Sequence, residues 1–161
     1  MLFRARKDLV ATSALVLTLT LFFIAGCVPL VQDGYYGRVV YVYDGDTVKL
    51  ANGEKVRYIG VDTPEMNYKN PPAEYFAEEA KRFNERLVNG KRVRLEFDTE
   101  RRDKYNRLLA YVYIDNISVS AKLIEEGYAR VFIIPPNIRY ADDFLKLQQK
   151  AREEERGLWS E

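Results

Sequence analysis

Between residues 35 and 60 the chain reverses direction twice within a few residues, and this restricts the fold more than any other feature. Tyr35 to Tyr43 (YYGRVVYVY) is dense in β-branched and aromatic residues and reads as a strand. Asp44-Gly45 is a hairpin signal, Thr47 to Leu50 continues as strand, Asn52-Gly53 is a second turn, and Lys55 to Gly60 is a third strand. Three short strands in a meander leave unpaired edges, so the sheet must find further partners. Arg92 to Phe97 and Leu108 to Ile114 supply two more strands. Helical spacing puts Phe76, Ala80, Phe83 and Leu87 on one face of a helix over Ala73 to Val88, which Asn89-Gly90 ends. Ser118 or Ser120 can cap a short helix that runs to Glu126 and stops at Gly127. Tyr128 to Ile134 is extended, and a last helix spans about Ala141 to Arg156. The expected class is mainly β with helices: a small closed five-stranded barrel with about three α-helices, closure removing the free edges.

The N-terminus reads as an address. Arg4, Arg6 and Lys7 precede an apolar run from Leu9 to Ala25 that is broken only by Thr and Ser, and the run ends in Ile24-Ala25-Gly26-Cys27. Such a segment describes a secretory signal over residues 1–26. The small pair before cysteine resembles the lipobox of bacterial lipoproteins. That resemblance implies cleavage before Cys27, lipid attachment there, and a membrane-anchored, extracytoplasmic domain in a bacterium. The run is also near the length of a membrane span, so an anchor or an uncut signal is the other reading. Residues 27–34 read as a linker and 35–161 as the domain. Cleavage would turn the formal charge of +1 slightly negative, so binding to a polyanion must come from local clustering.

Composition removes whole classes of chemistry. The chain has 0 His and 1 Cys. Serine–histidine triads, histidine bases, disulfides and structural zinc sites are excluded. A metal would need oxygen ligands and would be a hard cation. Four clusters carry the remaining chemistry. Asp44-Gly45-Asp46-Thr47 is a turn that can also aim a carboxylate at a cation. Arg57 opens RYIGVDTPE, where Asp62 and Glu65 flank a proline-fixed corner, and Asp62 can meet Asp46 across the hairpin. Arg101 to Arg107 holds four basic residues in seven positions, a solvated loop or a phosphate grip, with Asn106 suited to a left-handed turn. Tyr68, Tyr105, Tyr128 and Phe132 could stack on bases or pack.

Taken in order, YVYDGDTVKL, RYIGVDTPE, DKYNRLLAYVY and GLWS resemble the staphylococcal (micrococcal) nuclease family across about Tyr36 to Ser160. The resemblance implies an OB barrel with three helices. It further implies a calcium-dependent phosphodiesterase acting on DNA and RNA and leaving 3′-phosphate ends. By motif, Asp46 and Asp62 would be calcium carboxylates, with the Thr63 carbonyl beside them. Glu65 would activate water, and Arg57 and Arg107 would bind the scissile phosphate. Lys104 and Tyr105 would hold a terminal phosphate, and Asp44 would be a further acid near the metal. Ile133 takes the place of an aromatic lining the nucleotide site, and Pro135-Pro136 alters the following loop. The alternative is a non-catalytic barrel that binds single-stranded nucleic acid. Nothing in the sequence marks an oligomer, so a monomer is expected.

Overall fold

The computed structural model describes residues 34–160. The expected signal over residues 1–26, Cys27 and the linker before Gly34 lie outside the described residues. The elements are β1 (Tyr35–Val42), β2 (Thr47–Leu50), β3 (Lys55–Tyr58), β4 (Gly60–Asp62), α1 (Ala77–Val88), β5 (Arg92–Glu96), β6 (Leu108–Ile114), β7 (Ile117–Ser118), α2 (Val119–Glu125), β8 (Arg130–Phe132) and α3 (Ala141–Glu153), then a 3₁₀ turn at Gly157–Trp159.

The barrel closes as expected. β1 to β3 form an antiparallel meander, β3 pairs parallel with β6, β6 pairs antiparallel with β5, and β5 returns antiparallel to β1. β1 reaches both neighbours because its register shifts between Val39 and Tyr41. The bend lets residues 35–38 pair with β5 and residues 39–42 with β2. Alternate residues fill the interior: Val39, Val48, Leu50, Val56, Val93, Ala110 and Val112 are buried.

Several boundaries differ from the sequence reading, each for a local reason. The first turn is not a two-residue hairpin. It spans Asp44 to Asp46 and closes with the Tyr43 amide donating to the Thr47 carbonyl (2.9 Å). Gly45 does not adopt positive φ; a Cβ there would lie 2.6 Å from the Thr63 side chain, so close packing demands glycine. The third strand breaks at Ile59. Gly60 takes φ +83°, where a Cβ would meet the Phe144 ring at 2.6 Å, and β4 leaves the barrel to pair with β8. Helix α1 begins at Ala77 instead of Ala73, because Phe76 sits at φ 70°. Ser118, not Ser120, caps α2, accepting from the Ala121 amide (3.2 Å), while Ser120 is buried and donates to the Ile59 carbonyl. Asp115-Asn116, both at positive φ, form a tight turn into β7, a strand the sequence reading lacked.

One buried polar link fixes the first turn to the helix layer. Asn84 lies on the buried face of α1 with Ala77, Ala80 and Val88. Its Nδ2 donates to the Asp44 carbonyl (3.1 Å), and its Oδ1 accepts from the Tyr58 hydroxyl (3.0 Å). Alanine at 84 would leave the buried Tyr58 hydroxyl and the half-buried Asp44 carbonyl without their partner. Asn84→Ala should therefore lower stability to urea unfolding by about 2 kcal/mol, and Tyr58→Phe, which still leaves Nδ2 bonded, by about 1 kcal/mol. Equal stability of Asn84→Ala and the parent would contradict this role.

Candidate active site

The tip of the β1–β2 turn drives Asp46 into the protein; the residue is 2 % exposed. Its Oδ2 accepts from the Thr63 amide (2.9 Å) and the Thr63 hydroxyl (3.1 Å), and its Oδ1 from the Thr47 hydroxyl (3.1 Å). Thr47 stands opposite Arg57 in the β2–β3 ladder, which brings the Arg57 guanidinium against Asp46. The other terminal nitrogen of Arg57 reaches Asp62 Oδ1 at 2.8 Å. Asp62 ends β4 and keeps its carboxylate half-exposed. One guanidinium is therefore shared by two carboxylates that come from different elements.

Burial dominates the charge state of Asp46. Desolvation, helped by the neighbouring Asp44, outweighs Arg57 and the Thr63 amide and pushes the carboxyl up to about 7. Burial also opposes the charge on Arg57, but Asp46 and Asp62 more than offset it. Asp44 makes the turn: its Oδ1 accepts from the Asp46 amide (3.0 Å), as in an Asx turn, and its charge bears on Asp46.

Glu65 follows the Thr63-Pro64 corner. Its amide donates to Glu74 Oε2 and its carbonyl accepts from the Glu74 amide, both at 3.0 Å. No hydrogen bond ties its carboxylate among the described residues. Partial burial and the negative charge of Asp46 raise its pKa, against the pull of Arg57. Glu65 thus stands within the field of the Asp46–Arg57–Asp62 group, with its carboxylate unspent.

The basic loop before β6 is ordered by an acid to which the sequence reading gave no role. Asp103 Oδ1 accepts from the Tyr105 and Arg107 amides (2.9 Å each), and Oδ2 accepts from Arg107 Nε at 2.6 Å. Asn106 makes the turn at φ 63°. Arg107 and Arg57 line one cleft of about 350 Å³, together with Lys104, Tyr105, Phe132 and Ile134. The expected phosphate and nucleotide residues are therefore gathered on one concave surface.

The assignment of Ile133 to the nucleotide site needs correction. Phe132 and Ile134 line the cleft, whereas Ile133 lies 3.9 Å from where a Gly60 Cβ would stand, near Phe144. The β4–β8 register pairs Gly60 with Phe132 and fixes this alternation. A one-residue offset reverses the face of a side chain, so an aromatic does border the cleft. Asn137, also missed, is buried and clamps both Glu100 backbone groups (2.8 and 2.9 Å), which holds the far wall.

The oxygen donors fit a hard cation. Asp46 and Asp62 converge closely enough to share one positive group, and the burial-stressed Asp46 gains from any added positive charge. No group of three or more His, Cys, Asp or Glu is gathered for a metal among the described residues. Backbone oxygen, water or substrate oxygen would have to complete the shell. Thr63 contributes its amide and hydroxyl to Asp46, which places its backbone at the same point.

Comparison with known proteins follows the same lines. The family model described as staphylococcal nuclease homologue matches residues 55–161. Endonuclease YncB of Bacillus subtilis is 47% identical over 122 residues, covering 73% of this chain and 58% of that protein. SPbeta prophage-derived endonuclease YokF of the same organism is 46% identical over 122 residues, covering 73% and 41%. The chain thus spans between two fifths and three fifths of those two relatives. Thermonuclease of Staphylococcus intermedius is 40% identical over 121 residues, covering 73% of this chain and 72% of that protein. With the motif order, the closed barrel and these matches together, the chain belongs to the family of staphylococcal nuclease homologues.

Proposed function

We propose that this chain is a calcium-dependent nuclease that hydrolyses phosphodiester bonds of DNA or RNA, leaves 3′-phosphate ends, and is held outside the cytoplasm by lipid on Cys27. The observation that carries the reading is the meeting of Asp46, Asp62 and Arg57, with Arg57 and Arg107 on one cleft. The relatives named as endonucleases and thermonuclease support it. The apolar run and the small pair before Cys27 support the anchor.

A phosphodiester is an anion that repels the hydroxide needed to cleave it. Arg57 and Arg107 offset that charge on entry and strengthen their hold as more negative charge develops at phosphorus. Asp103 fixes Arg107 beforehand, so little ordering remains when substrate binds. Glu65 takes a proton from the attacking water. Its raised pKa makes it a stronger base than an ordinary exposed carboxylate. Water adds to phosphorus, the bond to the 5′ oxygen breaks, that oxygen takes a proton from solvent water, and Glu65 returns its proton to solvent. Calcium, when bound by Asp46 and Asp62, supplies positive charge beside the phosphate and makes water easier to deprotonate. Lys104 and Tyr105 hold the neighbouring nucleotide.

The direct test incubates the full-length chain with single-stranded DNA, first with calcium and then with excess chelator. Cleavage that needs calcium is the expected result; tight binding of intact DNA in both conditions would favour the non-catalytic barrel. Glu65→Gln should lower kcat by roughly 10²- to 10⁴-fold with little change in DNA affinity, and parental turnover in that variant would remove Glu65 from the chemistry. Calcium must also displace the proton that burial favours on Asp46. Its affinity, read by titration calorimetry, should rise roughly tenfold per pH unit up to the Asp46 pKa of about 7 and level off above it. A pH-independent affinity would show that Asp46 is not a ligand.

A further inference from the structure

A second cleft, of about 540 Å³, has only Arg107 in common with the lining of the Tyr105 cleft. Tyr43, Lys55, Glu65, Tyr68 and Lys69 line it, and Arg107 borders both clefts. A phosphate held by Arg107 therefore has a cleft for each of its two flanking nucleotides.

The walls of this second cleft have the chemistry of a single-stranded polynucleotide site. Tyr68 is 59% exposed. Its hydroxyl donates to the Tyr43 carbonyl (2.7 Å) and accepts from Lys81 Nζ (2.9 Å). The loop that carries Tyr68 is thereby pinned to the end of β1, and the ring is held in place while still open to solvent. Tyr43 packs edge to face on Tyr41, with centroids 4.9 Å apart. Lys55 Nζ lies 4.7 Å from the Tyr43 centroid, and Lys81 Nζ lies 5.5 Å from that of Tyr68. The open Tyr68 ring and the half-buried Tyr43 ring thus each have an ammonium beside them, the combination that stacks a base and neutralises its phosphate. Lys55 and Lys69 make no ion pair among the described residues, so their charge is not spent within the protein. Asp44 and Glu65 border the same cleft. Their repulsion steers a neighbouring phosphate away from the catalytic end and toward the lysines.

Given the nuclease reading, we propose that the Tyr43–Tyr68 cleft is a second nucleotide-binding site, which takes the base and phosphate of the strand on the side of the scissile bond away from Tyr105. Occupying both clefts requires a strand that continues past the cut on either side. The site therefore favours cleavage within a strand over removal of a terminal nucleotide.

The test measures binding in chelator, so that it does not depend on cleavage. Fluorescence anisotropy follows a labelled thymidine oligomer, and competition reports a thymidine mononucleotide, with full-length parent and variants. Tyr68→Leu removes the aromatic face and should weaken oligomer binding about tenfold while leaving mononucleotide binding unchanged. Tyr68→Phe keeps the ring but loses the two hydrogen bonds that pin its loop, and should fall between the parent and the Leu variant. Should Tyr68→Leu fail to fold, Lys55→Gln reads the same site from β3: it should reduce the salt dependence of oligomer binding by roughly 0.7 in log–log slope. Unchanged oligomer affinity in Tyr68→Leu, equal losses for oligomer and mononucleotide, equal losses in the Phe and Leu variants, or an unchanged slope in Lys55→Gln would each overturn the proposal. A parent that binds oligomer without ever cleaving it would overturn the nuclease reading instead, and the binding comparison would still decide the second cleft.

Discussion

A carboxylate nearly closed off from water sits where three elements meet, and most of the active region is arranged around it. Asp46 is placed by the β1–β2 turn, Thr63 follows β4, and Arg57 comes from β3. Burying the charge is unfavourable, and several donors offset that together: the Arg57 guanidinium, the Thr63 amide and hydroxyl, and the Thr47 hydroxyl. Their sum leaves the carboxyl still raised to about 7. Residual electrostatic stress of this kind is poor for stability and useful for function, because it favours any further positive charge brought to the same point.

Barrel closure makes that meeting possible. The parallel pairing of β3 with β6 sets Arg57 opposite Leu109, two residues beyond Arg107. Both arginines then face a shared cleft although they lie far apart in sequence. Asn84 acts from behind, joining the Asp44 carbonyl to Tyr58 across the helix layer. Small residues do the rest of the positioning: Gly45 lets the turn lie on Thr63, and Gly60 lets α3 bring Phe144 against the point where β3 gives way to β4. Rigid placement of this kind keeps the ordering required on substrate binding small.

Much of this was legible in the sequence, and the reasons are physical. β2 and β6 carry dense β-branched and aromatic runs between turn residues, and their limits matched residue for residue. The motifs around Asp46, Arg57, Asp62, Glu65 and Arg107 stood out because charge placed beside a turn or a proline corner is conspicuous. The β4–β8 pair was not legible, since three-residue strands carry no periodicity. Neither was the aim of Ile133, which turned on a single residue of register. Asn84 did leave a signal, a polar residue on the stripe of Ala77, Ala80 and Val88, but its partners are long-range and no local pattern names them. Asp103 lay inside a quoted motif, where it read as one charge among many; its three hydrogen bonds exist only once the turn has formed.

The active region depends on Asp46 and Arg57 acting as one unit. A double-mutant cycle with Asp46→Asn and Arg57→Gln, read by urea unfolding without divalent cations, measures this directly. Each single change should destabilise the fold, since each leaves a buried group without its partner. The double change should destabilise by less than the sum, with a coupling of about 1–3 kcal/mol. Additive effects with no coupling would show that the two side chains do not share a buried contact, and the gathering of the site around Asp46 would be wrong.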